Sequence, residues 1–219
     1  KADFNRIAER FGIDPVTARI IRNRGIEGED RINLYLNGTV GTLYDPRLMK
    51  DMEKAAAILK DKIDRKKRIR IVGDYDIDGV CSTYILYKAF LRLGAPVDYD
   101  IPDRIRDGYG INESIIEKAA EQGIDTILTC DNGISAYSQI ELAKKKGMTV
   151  VITDHHEVPL EEGKEIIPPA DAVIDPKREE CSYPFPEICG AVVAWKLVQV
   201  LFCLLYTSRA HETGAYLVC

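Results

Sequence analysis

Apolar residues recur at spacings of three and four through the first third of the chain, then give way after residue 68 to short, dense β-type runs. Two architectures therefore follow one another. In residues 1–67, "DFNRIAERFG", "DPVTARIIRNRG" and "DPRLMKDMEKAAAILKDKIDRKK" predict helices, the first two closing on glycine. From residue 69 the runs "RIRIVG", "VDYDI", "DTILTC", "MTVVIT" and "DAVID" predict strands, with helices expected over 80–93, 112–122 and 134–146. Gly94, Gly123 and Gly147 stand where each helix should stop. In the first of these helices Ser82, Ile85, Leu86, Ala89, Phe90 and Leu93 form one stripe, the face expected to lie on a sheet. Such alternation predicts an α/β fold, a mostly parallel, doubly wound sheet preceded by a small helical segment.

Ligands of open parallel sheets bind outside the carboxyl ends of the strands. The polar clusters of this sequence fall there. One strand runs into "GDYDIDG", a second into "DNGIS" and a third into "DHHE", which brings Asp74, Asp76, Asp78, Asp131, Asp154, His155 and His156 to one edge of the expected sheet.

Composition narrows the class. With 219 residues and 46% apolar content the chain can bury a full core plus a smaller appendage. The formal charge of −5 argues against wrapping nucleic acid in a broadly basic surface, and leaves room for a local basic groove. The runs "DRKKRIR" and "AKKKG" read as charge at helix C-termini. No apolar run approaches the ~20 residues of a membrane helix and no leader opens the chain, so a cytoplasmic location without a membrane partner is expected. The chain begins at Lys1, so its natural start is expected upstream. Six cysteines without paired short spacing read as reduced core residues, not a disulfide or zinc framework.

Clustered carboxylates repel one another unless cations sit among them. Carboxylate and imidazole donors without thiolates suit Mn²⁺ or Mg²⁺, with Zn²⁺ or Fe²⁺ as alternatives. The carboxylates outnumber the needs of one ion, which favours two ions ~4 Å apart, the arrangement that activates water for in-line displacement at phosphorus. A turn whose aspartates cap the next helix would explain "DYDID" alone, but not the other two strand ends. "DYDIDGV" also fits the signature of haloacid dehalogenase-type phosphatases, in which an aspartate, here Asp76, would attack phosphorus; that reading leaves "DHH" unexplained.

In this order "GDYDIDG", "DNGIS" and "TDHHE" resemble motifs I, II and III of the DHH phosphoesterase superfamily. "PDRIRDGYGIN", "PKREECSYPF" and "CGAVVAWKL" resemble its RecJ branch, exonucleases that degrade single-stranded DNA from the 5′ end, and the likeness spans roughly residues 10–202. The resemblance implies that Asp74 and Asp76 hold one Mn²⁺, that Asp131 bridges two ions and that Asp78 with His155 holds the second. It gives Asp154 and His156 an orienting or substrate-facing role, and makes Arg104 and Tyr109 candidates to grip a terminal phosphate and stack on a base. The catalytic set is then Asp76, Asp78, Asp131, His155 and His156, with single-stranded DNA as partner. Within the superfamily, nanoRNases, cyclic-dinucleotide phosphodiesterases, pyrophosphatases and inactive replication scaffolds are the alternatives. Nothing matches motif IV, and Asp175 in "IDPKR" is not at that motif. Residues 203–219, "CLLYTSRAHETGAYLVC", carry no core periodicity and begin like the translation of a transposon-type sequencing adapter. The expected organisation is thus a helical segment over 1–67, a truncated DHH domain over 68–202 and a non-native tail, which leaves His155 and His156 as the native histidines.

Overall fold

The computed structural model describes the backbone of residues 4–103 and 110–213, and side chains as far as residue 205. The elements are α1 (Phe4–Phe11), α2 (Pro15–Asn23), α3 (Glu29–Asn37), two 3₁₀ turns (Val40–Thr42 and Pro46–Leu48), α4 (Met52–Asp64), β1 (Ile69–Val72), α5 (Ile77–Arg92), β2 (Val97–Asp100) and α6 (Glu113–Glu121). There follow β3 (Thr126–Cys130), α7 (Tyr137–Lys145), β4 (Thr149–Thr153), a small hairpin of β5 (Leu160–Glu161) and β6 (Lys164–Glu165), β7 (Ala172–Ile174) and α8 (Gly190–Thr213). They form two compact units, Lys1–Asp45 and Pro46–Cys219.

In the first unit, Asp14 caps α2 by accepting the Val16 and Thr17 amides at 2.9 and 3.0 Å, with Pro15 in the first helical turn where its missing N–H costs nothing. Ala8, Ala18, Ile21 and Ile32 form its buried positions.

The second unit is built on a parallel five-stranded sheet of order β2-β1-β3-β4-β7. The expected mostly parallel, doubly wound sheet is therefore present. Strand side chains alternate between faces. Ile69, Ile71, Leu128, Cys130, Val151, Ala172 and Ile174 join the core under α4, α5 and α8, while Val72, Ile127, Val150, Ile152 and Val173 join the core under α6 and α7. Both faces of β1, β3, β4 and β7 are covered, which is why those strands read as largely apolar runs, unlike the half-exposed edge strand β2. One polar exception is Arg70, 6% exposed at its side chain, which donates to both oxygens of Asp98 at 2.8 Å and to Gln122 Oε1 at 2.6 Å.

Within the second unit α4 packs with the sheet, burying Met52, Ala55, Ala56, Leu59 and Ile63 against α8 and β7. Just ahead of α4, Asp51 has φ 62° and its Oδ2 accepts from the Val173 amide at 3.1 Å and from Arg178 Nη1 at 3.2 Å; Arg178 Nη1 also donates to the Val173 carbonyl at 2.6 Å. α8 runs from Gly190 to Thr213, and Leu205 continues the buried face of Ala194, Leu197 and Leu201 at spacings of three and four. Of the five described cysteines none is paired, but only Cys130 is buried; Cys181 and Cys203 are partly so, and Cys81 and Cys189 are exposed.

Candidate metal centre

β1 lies between β2 and β3, so the chain leaves β1 to one side for β2 and returns on the other for β3. The crevice of such a sheet opens where the strand order reverses, outside the ends of these two strands. Asp74, Asp76 and Asp78 follow β1, and Asp131 follows β3.

Each of these carboxylates is placed by backbone around it. Asp76 is the N-cap of α5, its Oδ1 accepting the Gly79 amide at 2.9 Å, so that the helix starts at Ile77 and not near residue 80. Gly79 lets the Asp74 backbone approach: a Cβ there would stand 2.6 Å from the Asp74 carbonyl oxygen. Asp131 adopts φ 61°, unusual for a residue with a side chain, and its amide is held by the Thr153 carbonyl at 3.0 Å. Asp78 reaches across to the start of α8, accepting the Gly190 and Ala191 amides at 2.7 and 2.8 Å, where the positive end of the helix dipole favours a carboxylate.

From β4 come the histidines. His155 Nε2 lies 2.9 Å from Asp131 Oδ1 and 3.4 Å from Asp78 Oδ2. Asp154 is 1% exposed and organises the turn, accepting the Ile134 amide at 2.9 Å, the His155 amide at 2.8 Å and His156 Nδ1 at 2.7 Å. That hydrogen bond raises the pKa of His156 to about 8, and the Asp131 contact likewise raises that of His155.

Two sets of donor atoms each gather within 4.8 Å: Asp74, Asp76 and Asp131, and Asp131, His155 and His156. They share Asp131. Asp74 is 1% exposed; the backbone amides of Tyr75, Gly110 and Asp76 approach its oxygens without closing a hydrogen bond of good geometry, and burial holds its pKa above the usual carboxylate range. A buried carboxylate aimed into a cluster of others is what a divalent cation would satisfy. The adjacent Cys130 lies in neither set; it is buried in the core under α4, α5 and α8, which pushes its thiol pKa up to about 12.

The geometry brings together Asp74, Asp76, Asp131, His155 and His156; Asp78 borders the second set with its oxygens engaged by α8. Arg104 and Tyr109 lie outside the described residues. Two contributors had no role in the sequence reading. Asn132 ties the strand ends together, donating to the Val72 and Cys130 carbonyls at 3.1 and 2.9 Å and accepting the Ile111 amide at 3.2 Å. Asp175, fully buried at the end of β7, accepts the Lys177 amide at 2.8 Å through Oδ1, while Oδ2 has no partner among the described residues. Burial, with the charge of Asp154 adding to it, pushes its pKa up to about 7. Its position at a strand end, like those of Asp131 and Asp154, was the available signal. Beside His156 opens a pocket of about 150 Å³ lined by Asn132, Ile134, Ser135, Gln139 and Asp154.

Among curated proteins, the single-stranded-DNA-specific exonuclease RecJ of Bacillus subtilis (strain 168) is 40% identical over 195 residues, covering 89% of this chain and 24% of the relative. The enzyme of that name from Escherichia coli (strain K12) is 32% identical over 190 residues, 86% of this chain and 31% of the relative. The chain thus spans about a quarter to a third of these relatives. Among solved structures, exonuclease RecJ bound to manganese superposes with TM-score 0.61 at 33% identity, over 72% of this chain and 38% of that one. RecJ from Thermus thermophilus in complex with Mn²⁺ gives 0.63 at 27% identity, over 93% and 27%. The model of the DHH family, N-terminal domain, matches residues 68–217, the stretch that carries every carboxylate and histidine of the centre, and the chain belongs to that family.

Proposed function

We propose that this chain is the metal-binding part of a RecJ-like exonuclease that hydrolyses the phosphodiesters of single-stranded DNA from the 5′ end, in repair and recombination. The observation that carries the reading is the pair of donor sets joined through Asp131 at the ends of β1, β3 and β4. Relatives at 30–40% identity are named single-stranded-DNA-specific exonucleases, and two solved relatives are bound to manganese. Asp74 and Asp76 would hold one Mn²⁺ and His155 the second, with Asp131 common to both and Asp78 at the border of the second; Mg²⁺ is the alternative ion. Bound divalent cations supply activation of water and neutralisation of charge on the phosphodiester.

The side chains have distinct tasks. Asp154 fixes the His156 ring through Nδ1, which orients that ring at the mouth of the pocket where the scissile phosphate would enter. Asn132 keeps the ends of β1 and β3 in register, and the pocket beside His156 would receive the sugar or base of the terminal nucleotide. A repair enzyme of this kind works in the cytoplasm, and no helix among the described residues is long and apolar enough to cross a membrane.

The test is Mn²⁺ titration followed by electron paramagnetic resonance on the wild type and on Asp131→Ala, then digestion of 5′- and 3′-labelled single strands. A spin-coupled ion pair that vanishes in the variant, with mononucleotides released from the 5′ end, is the expected result. One uncoupled ion in the wild type would refute the shared-ligand site.

A further inference from the structure

One face of α5 is exposed along its whole length. Ile77 is 84% exposed, Val80 46%, Tyr84 64% and Leu91 45%, and Lys88 and Arg92 are exposed beside them. These positions recur at spacings of three and four and so share one side of the helix, over ~22 Å at 1.5 Å per residue. Tyr87 flanks the stripe and meets Tyr99 of the edge strand β2 edge-on, with ring centroids 5.1 Å apart; Tyr99 is itself 53% exposed.

Many lysines of the other helices are held in ion pairs, Lys60 with Asp64 and Lys62 with Asp125 on α4, Lys118 with Asp100 on α6 and Lys145 with Glu141 on α7, whereas, among the described residues, Lys54 of α4 is not. Lys88 and Arg92 have no carboxylate within ion-pair distance among the described residues. The nearby acids of β2 are already engaged, Asp98 by Arg70 and Asp100 by Lys118. A helix face on which Ile77 and Val80 lead to one exposed ring, Tyr84, and then to two uncommitted cations, with Tyr87 and Tyr99 beside it, matches a strand of stacked bases and phosphates better than the core of a protein interface, from which lysine is depleted. It also begins at the candidate centre, since Asp76 caps the helix whose first residue is Ile77.

We infer that the exposed face of α5 is a track for single-stranded nucleic acid leading away from the metal centre, with Tyr84 stacking on a base and Lys88 and Arg92 pairing with phosphates. This inference rests on the single-stranded-DNA reading above. It names residues that would govern strand length preference without touching the reacting phosphate.

The experiment measures fluorescence anisotropy of 3′-labelled oligothymidylates of 4 and 16 nucleotides with the full chain, in Ca²⁺ to prevent hydrolysis. Variants are Tyr84→Ala and the double variant Lys88→Glu/Arg92→Glu, both at surface positions. Each variant should weaken 16-mer binding about fivefold or more, as loss of one base stack does. In the double variant the slope of log affinity against log salt should also fall by about 1.4, two phosphate contacts at ~0.7 each on a single strand. The 4-mer, which reaches Tyr84 about 10 Å along the helix, should also lose affinity for Tyr84→Ala, while Mn²⁺ binding should stay within about twofold. Wild type that binds the 16-mer with both variants unchanged would overturn the track alone. Wild type that binds neither strand would overturn the track together with the substrate reading. Wild-type dimer that the double variant converts to monomer, at unaltered DNA affinity, would assign the face to a second copy of the chain and likewise overturn it.

Discussion

Gly190→Ala is the sharpest perturbation of the centre, because it adds one carbon and removes nothing. A Cβ at this position would stand 2.6 Å from Asp131 Oδ1, 2.9 Å from its Cβ and 3.0 Å from its Cγ, where ordinary van der Waals contact begins at 3.4 Å. Either the Asp131 carboxylate or the start of α8 must yield by about 0.8 Å. Metal sites tolerate ligand displacements of only about 0.2 Å, so the shared carboxylate would leave its place. The alternative movement pulls the Gly190 amide away from Asp78, which it holds at 2.7 Å. Alanine suits the first turn of a helix, so no loss of propensity accompanies the change. The overpacking should cost about 1–3 kcal/mol of stability, which leaves the chain folded. Mn²⁺ affinity should fall about 10–100-fold, the range for displaced supporting groups at metal sites, and the spin-coupled pair should disappear. Calorimetric Mn²⁺ titration with parallel resonance spectra checks both. A variant that binds two coupled ions at wild-type affinity would refute the argument that Gly190 exists to admit Asp131.

Other expectations follow from the buried charges. Asp175 keeps its proton to about pH 7 in the folded chain against 3.8 ordinarily, so its contribution to stability is present below pH 3.8 and is lost as pH rises to about 7, by a few kcal/mol at ~1.4 per pH unit. Asp175→Asn should therefore flatten the decline of the metal-free melting temperature between pH 5 and 8; an unchanged slope would show that another group governs it. Asp154→Asn should return the His156 pKa from about 8 toward 6.5 in a proton magnetic resonance titration of the metal-free chain, removing stabilisation that wild type holds below pH 6.5 and loses as pH rises through about 8. Asp98→Ala should cost about 3 kcal/mol in urea unfolding, because it removes the bidentate partner of the buried Arg70 guanidinium and leaves it only Gln122 and the more distant Asp100 at 3.9 Å, whereas Arg70→Leu should cost less; the opposite order would refute this.

What the sequence reveals is what is local. The alternation of β1, β3 and β4 and the acids that end them are written within a few residues each, so the sheet and its functional edge follow from pattern alone. Partnerships across long separations do not. Asp78 serves the start of α8, 112 positions away, and nothing in "DIDGV" announces it. The apolar stripe of α4 shows that a face will be buried but not that α8 and β7 receive it. Asp175 fails for another reason: the strand-end rule applies to it as to Asp131, but its environment, fully buried near Asp154, becomes visible only once β7 pairs with β4.

At Val173 the outward amide and carbonyl of β7 are both taken, by Asp51 and Arg178, and those two side chains bind each other. An edge strand normally presents such groups as a template on which another strand can form. Here the three-residue edge is sealed by side chains from either flank. Sheet extension by a foreign strand, whether from a second molecule or from a misfolded segment, is blocked on that side, and protection against edge-to-edge association depends on one carboxylate and one guanidinium that have no part in the chemistry.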